Sequence, residues 1–197
     1  MRAPTGKTLV ALVVALCFLS GVIGWRFGEG TRASAGDARV EFLHAMIGHH
    51  EQAVAMSQIE LFEGRERDIQ VFAEEILRFQ AYELGLMERF LIELGHRRGD
   101  VEHRHMPGMA TEDEMDRLRA AGDDTDAWFV ALMVDHHAAG VAMAETVATD
   151  RADDGLGGLA ARMAIAQRAE IAELLRAADR LGLDVPPAGV TWDVYEP

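Results

Sequence analysis

The sequence contains one cysteine among 197 residues and lacks any long cluster of lysine and arginine. The single cysteine, Cys17, excludes a disulfide within the chain, so the fold depends on packing. The formal net charge of −14 would repel a phosphate backbone, which argues against a nucleic-acid-binding protein. Low-complexity repeats are also lacking, and the hydrophobic share of 49% is sufficient for the core of a globular domain.

The N-terminal segment, residues 1–27, contains an uncharged apolar run, TLVALVVALCFLSGVIGW, of the length that crosses a bilayer as a helix. Arg2 and Lys7 precede this run, which predicts a cytoplasmic N-terminus and an extracytoplasmic domain. A cleaved signal peptide is the alternative, supported by Ala-Ser-Ala at residues 33–35. Either reading places the domain outside the cytoplasm, as a membrane-anchored or an exported protein.

Two histidine pairs occupy equivalent positions of an internal repeat. The segment MIGHHEQAVAM at residues 46–56 recurs as MVDHHAAGVAM at residues 133–143, a shift of 87 residues. The same shift superposes three further features without a gap: Gln80 on Gln167, Glu83 on Glu170, and Leu94-Gly95 on Leu181-Gly182. The repeat therefore covers a helical hairpin that is present twice.

Apolar residues recur at spacings of three and four in both copies, which predicts an all-α, ferritin-like four-helix bundle made of two repeated hairpins. Thr111 and Glu114 form a capping-box pattern that predicts a short helix before the second hairpin. The expected organisation is an N-terminal anchor or signal segment, a connector at 28–36, hairpin one at 37–95, a linker at 96–122, hairpin two at 123–182 and a tail at 183–197.

A polar layer is predicted in the middle of the bundle. Antiparallel pairing about a turn near Gly64 brings His49 level with Gln80 and Met46 level with Glu83, and the repeat does the same for His136 with Gln167 and Met133 with Glu170. We expect His50 and His137 to lie nearer the flank and to be half exposed, because adjacent helical residues diverge by about 100°.

This layer has two interpretations. Imidazole binds several transition metals, and thioether sulfur favours soft ones, above all Cu(I), so the layer is a candidate metal site. Alternatively, His49 and His136 donate to Glu170 and Glu83 or to the glutamines, and the layer only fixes helix register, with the methionines as core filler. The candidate ligands are Met46, His49, His50, Met56, Glu83, Met133, His136, His137, Met143 and Glu170, supported by Gln80 and Gln167.

The linker HRRGDVEHRHMPGMA, residues 96–110, holds a second group of metal-ligating side chains. The candidates there are His103, His105, Met106 and Met109. Short tracts rich in histidine bind metal readily, although loops also carry histidine by chance.

The paired MxxHHxxxVAM blocks, each followed by a QxxE helix, with MPGM between them, resemble the domain-of-unknown-function 305 family. The similarity covers about residues 37–182. The resemblance implies a ferritin-like bundle, frequent export or membrane anchoring, and an association of some members with copper or other soft metals. Asp135 has Gly48 as its counterpart, so the two halves need not bind alike.

The sequence is compatible with three functions. The first is an extracytoplasmic binding protein for copper, as Cu(I), or a similar soft metal, which acts in sequestration, tolerance or delivery without turnover. The second is a dimetal oxidoreductase, which the sequence disfavours because iron sites of that kind want several carboxylates and Glu-x-x-His motifs. The third is a metal-free structural or interaction module. The sequence does not indicate a protein partner.

Overall fold

The computed structural model describes residues 38–99, 108–148 and 155–187. The chain divides into two compact units, Met1–Arg39 and Val40–Pro197, and nearly all of the described residues belong to the second. The N-terminal apolar segment and the linker residues His103, His105 and Met106 lie outside the described residues.

The described residues are helical, as the apolar spacing predicts, and they contain no strand. In chain order the helices are α1 (38–63), α2 (Arg67–Glu93), α3 (Glu112–Ala120), α4 (Thr125–Glu145) and α5 (Leu156–Leu181), with a 3-10 turn at Gly122–Asp124 before α4.

Two apolar clusters hold the four long helices together, and each cluster takes side chains from all four. Cluster 1 includes Ala53 and Met56 of α1, Ile76 of α2, Phe129 and Met133 of α4, and Leu174 of α5. Cluster 2 includes Met46 and Ile47 of α1, Met87 of α2, Val141 of α4, and Met163 of α5. Each large side chain that is fully buried in this way contributes about 1.5–3 kcal/mol. The clusters confirm the four-helix bundle.

The two hairpins end in the same way. Gly95 and Gly182 adopt positive φ values of 80° and 67°. The N–H of the residue after Gly95 donates to the Leu91 carbonyl at 2.8 Å, and that of the residue after Gly182 to the Ala178 carbonyl at 3.0 Å. Each helix therefore closes in a Schellman motif, which glycine favours because it has no Cβ to strain.

The short helix α3 begins at the predicted capping box. The Thr111 hydroxyl accepts from the Glu114 N–H at 3.2 Å, and the Glu114 carboxylate accepts from the Thr111 N–H at 2.7 Å. Met115 and Leu118 of this helix are buried against cluster 1. The cap therefore directs the chain from the linker onto the side of the bundle.

Within the described residues, one segment, Gly122–Glu145, is long and apolar enough to span a membrane on length and composition alone. However, 72% of its most apolar window is buried inside the protein. This segment contains α4, which supplies both apolar clusters, so its place in the core accounts for its composition.

Candidate metal centre

The rings of His49 and His136 stack at the midpoint of the bundle, with centroids 3.6 Å apart and an interplanar angle of 26°. Nε2 of His49 donates to the backbone carbonyl of His136 at 2.9 Å. Both side chains are fully buried. The repeat allowed these histidines to approach either each other or the opposite Gln/Glu pair, and the structure shows the first arrangement.

Gly140 provides the space for this approach. A Cβ atom at Gly140 would lie 2.8 Å from Cε1 of His49 and 2.2 Å from Oε1 of Gln167. The equivalent position of the first half holds Ala53. The sequence reasoning missed Gly140, although a glycine inside a duplicated helix, where the other copy has alanine, is a signal of close approach.

His50 and His137 are completely buried, which corrects the expectation that they are half exposed. Nε2 of His50 lies 2.9 Å from Oε2 of Glu83, and Nε2 of His137 lies 2.8 Å from Oε2 of Glu170. The expectation was wrong because a helix in a bundle is covered by neighbours on two sides, and its buried face is therefore wider than one seam.

The glutamates therefore have different partners from those expected under the structural interpretation. They pair with the second histidine of each motif, His50 or His137, rather than with His49 or His136. The two pairs are related by the same shift of 87 residues. The layer thus contains a central stacked pair and two lateral histidine–glutamate pairs.

Gln80 and Gln167 complete the layer, and each is only 2% exposed. Among the residues that the structure describes, neither the amide oxygen nor the amide nitrogen of Gln80 or Gln167 has a hydrogen-bond partner. Gln167 lies beside the His49 ring, since both meet the space above Gly140. Leaving a buried polar group unpaired costs about 1–3 kcal/mol, so two unpaired amides are an unusual feature of a buried layer.

The central histidines also keep unpartnered nitrogens. Within the described part of the chain, Nδ1 of His49 and both ring nitrogens of His136 have no hydrogen-bond partner. Burial and the neighbouring imidazoles of His50 and His137 hold the pKa of His49 well below its usual value. Burial and the His49 imidazole lower the pKa of His136 in the same way. Both rings are therefore neutral at neutral pH, and each has a lone pair available to a cation.

The candidate methionines lie above and below the histidine layer. Met56 and Met133 belong to cluster 1, whereas Met46 belongs to cluster 2 and the partly buried Met143 packs against it. This position agrees with a role in the core and also places two thioethers in each cluster beside the layer.

Across residues 38–99, 108–148 and 155–187, no three His, Cys, Asp or Glu side chains are grouped so that they could hold one metal ion. Glu83 and Glu170 are already paired with His50 and His137. A cation in the layer would consequently need thioether or amide ligands in addition to imidazole. This donor set suits a soft cation better than iron.

Residues 108–110 of the linker lie against the bundle. The side-chain amide of Gln52 donates to the Ala110 carbonyl at 2.7 Å and accepts from the Ala110 N–H at 2.8 Å. Met109, the one linker candidate among the described residues, directly precedes Ala110 and is partly buried.

Comparisons with known proteins agree with this architecture. A DUF305 protein from Streptomyces coelicolor that is thought to be secreted is 28% identical, with a TM-score of 0.69 over 78% of this chain and 98% of that one. A DUF305 fragment from Deinococcus radiodurans is also 28% identical, with a TM-score of 0.66 over 73% and 96%. CopM in its Cu(I)-bound form is 22% identical, with a TM-score of 0.61 over 73% and 96%.

No functionally curated protein matches the sequence. The family model of the domain of unknown function DUF305 matches residues 39–178, which is most of the chain and includes both histidine motifs. The resemblance seen in the doubled motif is thereby confirmed, and this chain belongs to the DUF305 family.

Proposed function

We propose that this protein binds copper, as Cu(I), or a similar soft cation outside the cytoplasm, and that it sequesters or delivers the ion without chemical turnover. The observation that carries the proposal is the buried stack of His49 and His136, whose ring nitrogens are largely unpartnered. Buried polar groups normally have hydrogen-bond partners, so several ring nitrogens without partners at the centre of a bundle indicate a ligand.

The chemistry of the layer favours a soft cation. Imidazole nitrogen and thioether sulfur are neutral donors, and thioether sulfur selects Cu(I) and related ions over hard cations. Met46 and Met133 each precede a central histidine by one helical turn and are fully buried. The proposed ligands are therefore His49 and His136 with these methionines, while Met56 and Met143 lie further along the same helices.

The lateral pairs have a supporting role in this proposal. Glu83 and Glu170 orient the imidazoles of His50 and His137, and their negative charges lower the cost of holding a cation between the helices. Gln80 and Gln167 offer amide oxygens that have no other partner.

The comparisons supply further support. CopM, which has the same fold, has been solved in Cu(I)-bound, Cu(II)-bound and Ag-bound forms. The N-terminal apolar run supports an extracytoplasmic place, either anchored in the membrane or exported, and the Streptomyces relative is thought to be secreted.

The experiment is an anaerobic Cu(I) titration of the domain from residue 37 onward, in competition with a chelator of known affinity. It compares the wild type, the variant His49→Ala/His136→Ala, and a linker variant with alanine at His103, His105, Met106 and Met109. The exposed His96→Ala variant is the matched control. We expect tight binding in the wild type and the control, and its loss in the double variant.

A loss only in the linker variant would move the site to the linker. Unchanged binding in both variants would remove all of the proposed ligands. Absence of tight Cu(I) binding by the wild type would leave the layer as a device that fixes helix register, and tighter binding of Fe(II) than of Cu(I) would favour the dimetal alternative.

A further inference from the structure

We infer that the segment Gly108–Thr111 is a strap that closes the side of the bundle between α1 and α4, and that Gln52 fastens it. In this role Gln52 is a positioning residue that sets how fast solvent or a cation reaches the stacked histidines. The part of this inference that concerns cation access rests on the proposed function, whereas the part that concerns solvent access does not depend on it.

The first anchor of the strap is on α1. The side chain of Gln52 makes two hydrogen bonds with one backbone unit, because it donates to the Ala110 carbonyl and accepts from the Ala110 N–H. The methyl group of Ala110 also packs against cluster 1. Gln52 follows His49 by three residues, so both lie on neighbouring parts of the same helix face.

The second anchor is on α4. Gly108 has a φ of 80°, and a Cβ atom there would lie 2.2 Å from the Cβ of Ala139 and 3.0 Å from the carbonyl oxygen of Asp135. The backbone therefore runs in direct contact with α4, which only glycine allows at this position. Ala139 follows His136 by three residues, as Gln52 follows His49.

The two anchors occupy equivalent positions of the repeat, since Ala139 is the counterpart of Gln52. A chain segment that touches both must cross the outer margin of the α1–α4 contact, next to the stacked rings. The apolar clusters lie on the two sides of the layer along the bundle axis, and Glu83 of α2 and Glu170 of α5 reach its histidines from the other two helices. The strap is thus the cover on the remaining side, and the histidines behind it are fully buried.

The metal-free protein provides the first test. Deuterium exchange at the Cε1–H of His49 and His136, followed by NMR over a full pH profile, separates solvent access from any change in pKa. The variants Gln52→Ala and Gly108→Ala each remove one anchor. Their controls are Gln58→Ala, an exposed residue of α1, and Gly95→Ala, which has the same φ of 80° and no atom within 4 Å of the added Cβ.

We expect the Ala110 amide and both imidazole positions to exchange roughly tenfold faster in the two anchor variants than in the controls, because two hydrogen bonds or one close contact are lost. Protection of amides within α1 and α4 should stay at the wild-type level, which shows that the bundle is intact. Gln52→Glu, which can accept from Ala110 but cannot donate to it, should give a smaller increase.

If the Ala110 amide exchanges faster but the imidazole exchange rates are unchanged, the strap does not control access to the histidines. If the exchange rate of the Ala110 amide is itself unchanged, Gln52 does not hold the strap in place. A second measurement follows transfer of Ag(I) from the protein to a chelator. Loading and release should both accelerate by the same factor with an unchanged Kd, since the strap covers the ion without binding it. Failure of the wild type to bind Ag(I) would count against the proposed function alone, because imidazole exchange decides the strap without metal.

Discussion

The imidazole of His49 lies flat against that of His136, although 87 residues separate them in the chain, and it donates to the His136 carbonyl. Two copies of one motif thus meet face to face at the centre of the bundle. Two cationic rings would repel each other at this distance, so the stack depends on neutral imidazoles. Burial maintains that neutrality by lowering the pKa of both rings.

The space above Gly140 is expected to be essential for the stack. Gly140→Ala places a methyl group against the His49 ring and the Gln167 amide, so we expect a loss of about 1–3 kcal/mol in the free energy of unfolding by urea. Gly85→Ala is the matched control, because no atom lies within 4 Å of its added Cβ, and it should stabilise α2 by up to about 1 kcal/mol. An increase of stability in both variants would contradict the close packing.

The lateral pairs should contribute to stability equally, because the repeat relates them. Glu83→Gln and Glu170→Gln each retain the side-chain shape but lose the negative charge beside the histidine, and we expect each to cost roughly 1–2 kcal/mol in urea unfolding. Glu75→Gln, on the exposed face of α2, is the control, and equal stability of all three variants would show that the pairs contribute nothing.

A buried carboxyl group at the end of α1 gives the protein a separate pH dependence. Glu60 is fully buried, and its burial and the nearby Asp126 carboxylate raise its pKa to about 9. Asp126 in turn accepts the backbone N–H groups of Arg65 and Glu66 in the turn between α1 and α2. The native state therefore retains a proton on Glu60 that the unfolded chain releases near the ordinary glutamate pKa of 4.5.

It follows that this group contributes most to stability below about pH 4.5 and that its contribution falls as the pH rises towards 9. We expect Glu60→Gln to be more stable than the wild type at pH 8 and to lose that advantage towards pH 5, at roughly 1 kcal/mol per pH unit. Urea unfolding at several pH values measures this difference. The exposed Glu63→Gln variant should follow the wild type, and parallel curves for Glu60→Gln and the wild type would refute the retained proton on Glu60.

The repeat made much of the fold predictable. A gap-free shift that superposes Gln80 on Gln167 and Gly95 on Gly182 implies two equal hairpins, and the structure ends both at those glycines. It also places His49 and His136 at equivalent inward positions, so each could approach the other or the opposite Gln/Glu pair, and the structure shows the stacked pair.

The repeat could not reveal the features in which the two halves differ. Gln52 hydrogen-bonds to Ala110 of the linker, whereas its counterpart Ala139 only packs against Gly108. Gly140 leaves space for the His49 ring, whereas its counterpart Ala53 carries a methyl group. The burial of His50 was missed for another reason, since the divergence of about 100° between adjacent helical residues was expected to place it on the exposed flank of α1. A helix that packs against two neighbouring helices buries a face that is wider than one seam.

The most direct test of the account is to find where a soft cation binds, by NMR of ¹⁵N-labelled histidine in the domain titrated with Ag(I). The account predicts that at one equivalent the ring nitrogens of His49 and His136 shift, while Nε2 of His50 and of His137 keep the signals of imidazoles bonded to Glu83 and Glu170. Shifts confined to His44, His96 or the linker histidines, with the stacked pair unchanged, would contradict a metal site in the histidine layer.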